Sequence, residues 1–316
     1  MIRRILTITM KTKKTILYRY AEKMQKMSGE FYDSIQIQVP DALEADLGLP
    51  YSGGDGNALS MDVFRPAGER PAGHFLPVII MIHGGGLFVG NARMEAMTCM
   101  RFAGRGFLVF SLSYRLLTEA DACGELSDIC EGFRQVEKLL PDYRGDRDRV
   151  YVVSESAGAY LAVFANAMHR SWALYEKVGG RLSNLRVRMM ACFSGMFYTK
   201  KLDLIGMVYP RQIYGEKRSD KEFMKMMNPE HPEIIGNLPP MLLVSSDEDF
   251  LKKYTLKYEK ALKKAGIPCR LWYYTDNKEC THAFPSLKPD LKESQEVIDQ
   301  IADIFLGSGE DDIRRE

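Results

Sequence analysis

The stretch Val150–Leu161 (VYVVSESAGAYL) restricts the folds open to this chain more than any other. It begins as an apolar run rich in β-branched residues, which reads as a buried strand. It passes through Ser154-Glu155-Ser156-Ala157-Gly158 and continues with Tyr160, Leu161, Phe164 and Met168 at helical spacing. A strand that turns this sharply into a helix needs small residues, because the two elements approach closely. Such a turn lifts one side chain, here Ser156, above the carboxyl edge of a sheet. It also aims the first helical N–H groups at the same spot. That is the context of a nucleophile elbow, G-x-S-x-G, with Ser154 in place of the first glycine. The plainer reading of the same residues is a strand–helix turn with a serine cap.

The rest of the chain alternates in the same way. Val78–Ile82, Phe107–Leu112, Val187–Phe193, Met241–Ser246 and Cys269–Tyr274 read as strands. Met94–Ala103, Ser127–Leu140, Ala157–Arg170, Leu251–Ala265 and Leu291–Phe305 read as helices. Upstream, Ser34–Val39 and Ala58–Phe64 read as strands, with Tyr51–Asn57 a turn cluster between them. Alternation of this kind predicts an α/β fold, a mostly parallel sheet with helices on both faces. Residues 12–27 predict an amphipathic helix ended by Ser28-Gly29, packed over the body. Residues 196–240 break the rhythm with prolines and methionines and read as an insertion bordering the site. The expected organisation is an N-terminal cap helix region at 1–44, a main domain at 45–306, and a tail at 307–316.

Four marked turns fall just after expected strands, where open α/β sheets collect functional residues. The first is His83-Gly84-Gly85-Gly86. Three consecutive glycines carry a large entropy cost, and their use is close approach of bare N–H groups to an anion. The lysine and spacing of a phosphate-binding P-loop are absent. Gly85 and Gly86, with Ala157, are candidate donors to an oxyanion, and His83 is expected to prop the loop. A serine hydroxyl needs a base. Of the five histidines, only His282 lies in a loop after the last expected strand. The base needs a carboxylate, and Asp247 and Asp249 both follow the preceding strand.

The order Ser156, Asp249, His282 is that of α/β-hydrolases. The chain resembles the hormone-sensitive-lipase-like esterase group of that fold, and is similar to small bacterial esterases related to feruloyl and acetyl esterases. The residues that carry the resemblance are His83-Gly84-Gly85-Gly86, Ser113-Tyr114-Arg115-Leu116, Asp148-Arg149-Val150, Glu155-Ser156-Ala157-Gly158, Leu238-Pro239-Pro240, Asp249-Phe250-Leu251 and His282-Ala283-Phe284. It departs from the pattern at Ser154, at Phe250 (usually proline) and at Ser111-Leu112-Ser113, which lacks an acidic residue. The resemblance implies an eight-stranded sheet, a helical cap, Asp249 as the acid, and ester hydrolysis without metal or cofactor. Asp247 is then expected to be a turn residue accepting backbone N–H groups. Short-chain acyl esters are the expected substrates. The rivals are an amide- or peptide-cleaving hydrolase and a non-catalytic ligand-binding protein on the same fold.

Composition bounds the partners. The formal net charge is +1 over 316 residues, which gives no drive toward nucleic acid or an anionic membrane. No segment has the apolar length to span a bilayer. The six cysteines lack C-x-x-C spacing, which points to neither disulfide framework nor zinc site. The basic, short apolar N-terminus lacks a cleavage site, so a cytoplasmic location is expected. A small-molecule ester is the expected partner, and homo-oligomerisation is left open.

Overall fold

The computed structural model describes residues 23, 25–27, 29–32, 34, 36–69, 71–199 and 213–307. Its strands are β1 (Leu43–Ser52), β2 (Ala58–Pro66), β3 (Leu76–Ile82), β4 (Leu108–Leu112), β5 (Gly145–Glu155), β6 (Val187–Phe193), β7 (Met241–Ser246) and β8 (Cys269–Tyr274). They form one sheet in the order β1-β2-β4-β3-β5-β6-β7-β8. β1–β2 and β2–β4 pair antiparallel, and the other neighbours are parallel. The helices are α1 (Ala96–Gly104), α2 (Ala122–Tyr143), α3 (Ala157–Met168), α4 (Trp172–Val178), α5 (Lys221–Met226), α6 (Pro232–Ile235), α7 (Lys252–Lys264), α8 (Phe284–Leu287) and α9 (Lys292–Phe305).

Alternation along the strands divides the core in two. Val78, Ile80 and Ile82 of β3 and Val150 and Val152 of β5 join α2 and α3 on one face. Ile79, Met81, Tyr151 and Val153 join α1 and α9 on the other. The central strands are buried on both sides, which is why they read as unbroken apolar runs. Register then fixes the working edge. Ile82 pairs with Ser154 and Ser154 with Cys192, so the loops after β3, β5 and β6 leave the sheet side by side.

Several boundaries differ from the sequence reading. The strand expected at Ser34–Val39 is absent. Residues 29–32 and 34 are helical, so Gly29 does not end that helix, and 36–40 join no ladder. Ile37 and Val39 pack instead against the α1/α9 core. The edge strand on the β2 side is β1, hidden in the sequence by Gly48 and Pro50. An edge strand tolerates both, and its register shifts between Asp46 and Leu49. Helix α2 begins at Ala122, capped by Asp121 through the Gly124 N–H, and holds Pro141 in its last turn. Asp128 therefore lies inside the helix, where it is buried and grips Arg115 at 2.7 Å. The part of the expected N-terminal helix at 12–22 lies outside the described residues, as do 200–212 of the insertion. The described remainder of the insertion holds α5 and α6.

Helix α3 crosses the end of β3 at Gly158, in its first turn. A Cβ there would stand 2.2 Å from the Ile82 carbonyl oxygen and 2.5 Å from that of His83. Backbone of a central strand cannot move aside cheaply, so Gly158→Ala should destabilise the fold by about 1–3 kcal/mol or more. At about 2–4 °C per kcal/mol, thermal melts should show a fall of several degrees. Gly104→Ala at the end of α1, where a Cβ meets nothing within 4 Å, should stay within about 1 kcal/mol of wild type. Equal melting temperatures for the two variants would contradict this account of the crossing.

Candidate active site

Ser156 has φ 48 and ψ −113, a backbone conformation that non-glycine residues rarely adopt. Such a residue carries about 1–3 kcal/mol of strain. Two hydrogen bonds hold it there. Its N–H donates to the Phe193 carbonyl at 2.8 Å, and its carbonyl accepts from the Met196 N–H at 2.8 Å. The end of β6 thus clamps the turn from both sides. Ala157 is the first residue of α3, so its N–H lies among those a helix leaves without an internal acceptor. Ser154 is fully buried, with its hydroxyl 3.4 Å from the Ala191 carbonyl and 3.3 Å from Cys192 Sγ. It fills space between β5 and β6, which explains how a serine can replace the usual glycine.

His282 Nε2 lies 2.9 Å from Ser156 Oγ, and its Nδ1 lies 2.7 Å from Asp249 Oδ1. Sequence separations of 126 and 33 residues are closed here by the parallel sheet. Asp249 is buried, and burial alone would raise its carboxyl. Hydrogen bonds from His282, the Ser245 hydroxyl and the Leu251 N–H outweigh that and hold it below the ordinary aspartate value. The histidine loop is pinned as well. Ser194 Oγ accepts from the Ala283 N–H at 2.8 Å, and the Ser246 hydroxyl donates to the Cys280 carbonyl.

Asp247 does something different from what the sequence suggested. Its carboxylate is exposed and accepts from the Tyr273 hydroxyl at 2.8 Å, with Lys252 Nζ at 3.8 Å. The Asx-type bond to the backbone belongs to Asp249, through Leu251.

Gly85 and Gly86 both lie at positive φ, 84 and 64. A Cβ on Gly85 would stand 1.9 Å from the Val89 carbonyl oxygen. His83 stacks on Tyr114, with ring centroids 4.3 Å apart, and its Nδ1 is 3.0 Å from the Gly84 carbonyl. The Tyr114 hydroxyl donates to the His83 carbonyl at 2.9 Å. His83 therefore props the loop, and burial lowers its pKa to about 4. The remaining histidines lie elsewhere. His74 is exposed, His169 bonds to Ala165 and Ser183, and His231 caps α6.

Behind the serine lies a feature that the sequence reading missed. Glu155 and Glu95 are both buried, and Glu155 Oε1 is 3.9 Å from His282 Nε2. Glu155 Oε2 and both Glu95 oxygens have no hydrogen-bond partner among the described residues. Burial raises the pKa of both acids, that of Glu95 to about 7, and each disfavours ionisation of the other. Burial first, then these two carboxyls, also raises the Tyr32 phenol, and Gln25 of the same N-terminal helical residues donates to Glu119 at 3.0 Å. Only the three-dimensional pairing marks these acids, since 60 residues separate them in the chain. No group of three or more His, Cys, Asp or Glu side chains could hold a metal among the described residues, and no described helix is long and apolar enough to cross a membrane.

An eight-stranded, mostly parallel sheet with a serine on a strained turn after its central β5 defines the α/β-hydrolase fold. The chain belongs to the BD-FAE family, whose model matches residues 61–256. It is similar to the probable isoprenylcysteine alpha-carbonyl methylesterase ICME of Oryza sativa subsp. japonica, at 25% identity over 245 residues, covering 73% of this chain and 57% of that protein. It is also similar to the probable methylesterase ICMEL1 of Arabidopsis thaliana, at 22% identity over 251 residues, covering 75% of this chain and 52% of that one. The chain thus spans about half the length of these relatives. Among solved structures, esterase B from Lactobacillus rhamnosis with a C4-C4 SN3 tributyrin phosphonate matches with TM-score 0.80 at 20% identity, covering 96% of both chains. An esterase of the bacterial hormone-sensitive lipase family matches with TM-score 0.66 at 19% identity, covering 90% of both. These structural likenesses establish the fold, and the resemblance read from the motifs is borne out.

The buried ionisable groups make stability depend on pH in two directions. His83 is held neutral, so its contribution is present above its ordinary value of 6.5 and is lost as pH falls toward about 4. Glu95 is held protonated, so its contribution is present below 4.5 and is lost as pH rises through about 7. The two windows overlap between pH 4.5 and 6.5 with opposite sign, so the two slopes, each amounting to roughly 3 kcal/mol at most, largely cancel in wild type, and urea unfolding across pH 4 to 8 should separate them only in variants. His83→Asn should leave stability falling as pH rises from 4.5 to about 7, and Glu95→Gln should leave it rising from about pH 4 to 6.5. Unchanged slopes in both variants would show that these groups titrate alike in the folded and unfolded chains.

Proposed function

We propose that this protein is a serine carboxylesterase. The observation that carries the reading is the continuous hydrogen-bonded chain from Ser156 Oγ through His282 to Asp249, at 2.9 and 2.7 Å, on a strained turn facing a loop with two glycines at positive φ. A strained, multiply clamped serine has no stabilising use, which argues for a nucleophile.

In this mechanism Ser156 Oγ attacks the ester carbonyl carbon while His282 Nε2 takes its proton. Asp249 fixes the imidazole tautomer and stabilises the cation. The carbonyl oxygen becomes an oxyanion, received by the N–H groups of Gly85, Gly86 and Ala157. The imidazolium returns its proton to the departing alkoxide, leaving an acyl-enzyme on Ser156. Water, deprotonated by His282, then attacks the acyl carbon, and the carboxylic acid leaves as the serine regains its proton.

The curated relatives are named as methylesterases, which supports ester chemistry, and a solved neighbour carries a tributyrin phosphonate, which supports a short acyl group. Short acyl esters, acetyl to butyryl, are the proposed substrates.

A fluorophosphonate probe should label the wild-type protein at Ser156, read by peptide mass spectrometry. Ser156→Ala should lower kcat for p-nitrophenyl butyrate about 10⁴-fold or more, and Asp249→Asn about 10³- to 10⁴-fold, both without loss of folding. Ser154→Ala and Asp247→Asn should keep most of the activity. Loss of turnover in Ser154→Ala or Asp247→Asn, with Ser156→Ala or Asp249→Asn active, would overturn the assignment.

Chain-length selectivity is a separate expectation. A methylene that no longer fits its pocket shifts selectivity by about 1–3 kcal/mol. kcat/KM should therefore be higher on C2 and C4 p-nitrophenyl esters than on the C12 ester. A preference for C12 would reject the short-acyl proposal.

A further inference from the structure

Phe250 is a large apolar side chain that is 72% exposed, so core burial does not explain its position. Its ring lies against the His282 imidazole, with centroids 4.1 Å apart and planes 35° apart. The position is set by the backbone on either side. Asp249 Oδ1 accepts from the Leu251 N–H at 2.8 Å, and Leu251 is buried at the start of α7, so the loop has little freedom to carry the ring away. The other groups around the imidazole are Asp249 at Nδ1, Ser156 Oγ at Nε2, and Glu155 Oε1 at 3.9 Å from Nε2. Glu95 disfavours ionisation of Glu155, and both acids act electrostatically on the Tyr32 phenol.

The face of an aromatic ring is electronegative and attracts a cation laid against it. His282 becomes a cation at the moment it takes the serine proton. We infer that Phe250 is a positioning residue for acyl transfer, holding the His282 imidazole in the line from Ser156 to Asp249 and favouring its charged form through the tilted ring laid against it. This rests on the serine-esterase reading. It differs from that reading in naming a contact outside the triad, at a position where this chain departs from the esterases it resembles.

The test compares Phe250→Leu, which keeps apolar bulk but removes the ring face, with Phe250→Tyr, which keeps it. Because the side chain is exposed, both should melt like wild type. For p-nitrophenyl butyrate, Phe250→Leu should lower kcat about 2- to 5-fold with little change in KM. The acid limb of its kcat/KM profile should move to lower pH by about half a unit, because the imidazolium has lost a stabilising neighbour. Phe250→Tyr should restore both. NMR titration of the His282 ring protons should show the same displacement without any turnover. If kcat, the acid limb and the NMR midpoint of Phe250→Leu equal those of wild type, or if only KM changes, the inference fails. If wild type hydrolyses no ester but the NMR midpoint still moves, the esterase reading and the role in acyl transfer fall, and only the ring contact with His282 stands.

Discussion

The arrangement of the site depends on one steric constraint, the passage of α3 over the end of β3 at Gly158. With no side chain there, the helix seats against the Ile82 and His83 carbonyls. That contact sets the distance between the first turn of α3 and the glycine loop after β3. It therefore sets whether the N–H groups of Ala157, Gly85 and Gly86 can converge on one oxygen. The Phe193 and Met196 bonds to Ser156 then fix where the serine stands relative to them. Close packing makes the arrangement stiff, since a displacement of either element would open a void or force an overlap.

Around this crossing the protein keeps an unusual amount of polar chemistry out of water. Asp249 is ionised and fully bonded, which offsets its desolvation. Glu155 and Glu95 do the reverse, with burial and mutual repulsion favouring their neutral forms. A carboxylate beside the imidazole at 3.9 Å would compete with Asp249 for its charge, and a neutral acid does not. His83 is likewise uncharged, leaving the glycine loop without a fixed positive charge. Phe250 opens an aromatic surface to solvent against the imidazole.

Legibility in the sequence followed burial. The central strands β3 to β7 were readable from their apolar runs, the edge strand β8 from its Leu271-Trp272-Tyr273-Tyr274 run, and β6, β7 and β8 were placed to the residue. Ser156, His282 and Asp249 were readable because each follows such a strand. β1 was not, because an edge strand needs only one apolar face and tolerates Gly48 and Pro50. The stretch Ser34–Val39 looked like a strand by alternation, yet the edge it would have joined is occupied by β1. Pro141 suggested a helix end, while the buried Leu140 and the bond from Tyr143 to Asp46 hold the last turn in place. The partners of Asp247 were also beyond reach, since Tyr273 comes to it from the neighbouring strand β8.

By itself, then, the sequence determined the alternation of strand and helix, the sharp turn at Ser156 and the glycine loop, because these are local demands on backbone and burial. Tertiary structure alone decided which other groups meet: that Glu95 is near enough to Glu155 to disfavour its ionisation, that Ser194 holds the Ala283 N–H, and that Tyr273 holds Asp247. The physical reason is that strand order and register, not sequence distance, set these neighbours. The sheet runs β3-β5-β6-β7-β8 in space while long helices intervene in the chain, and a local pattern carries no record of which strand lies alongside.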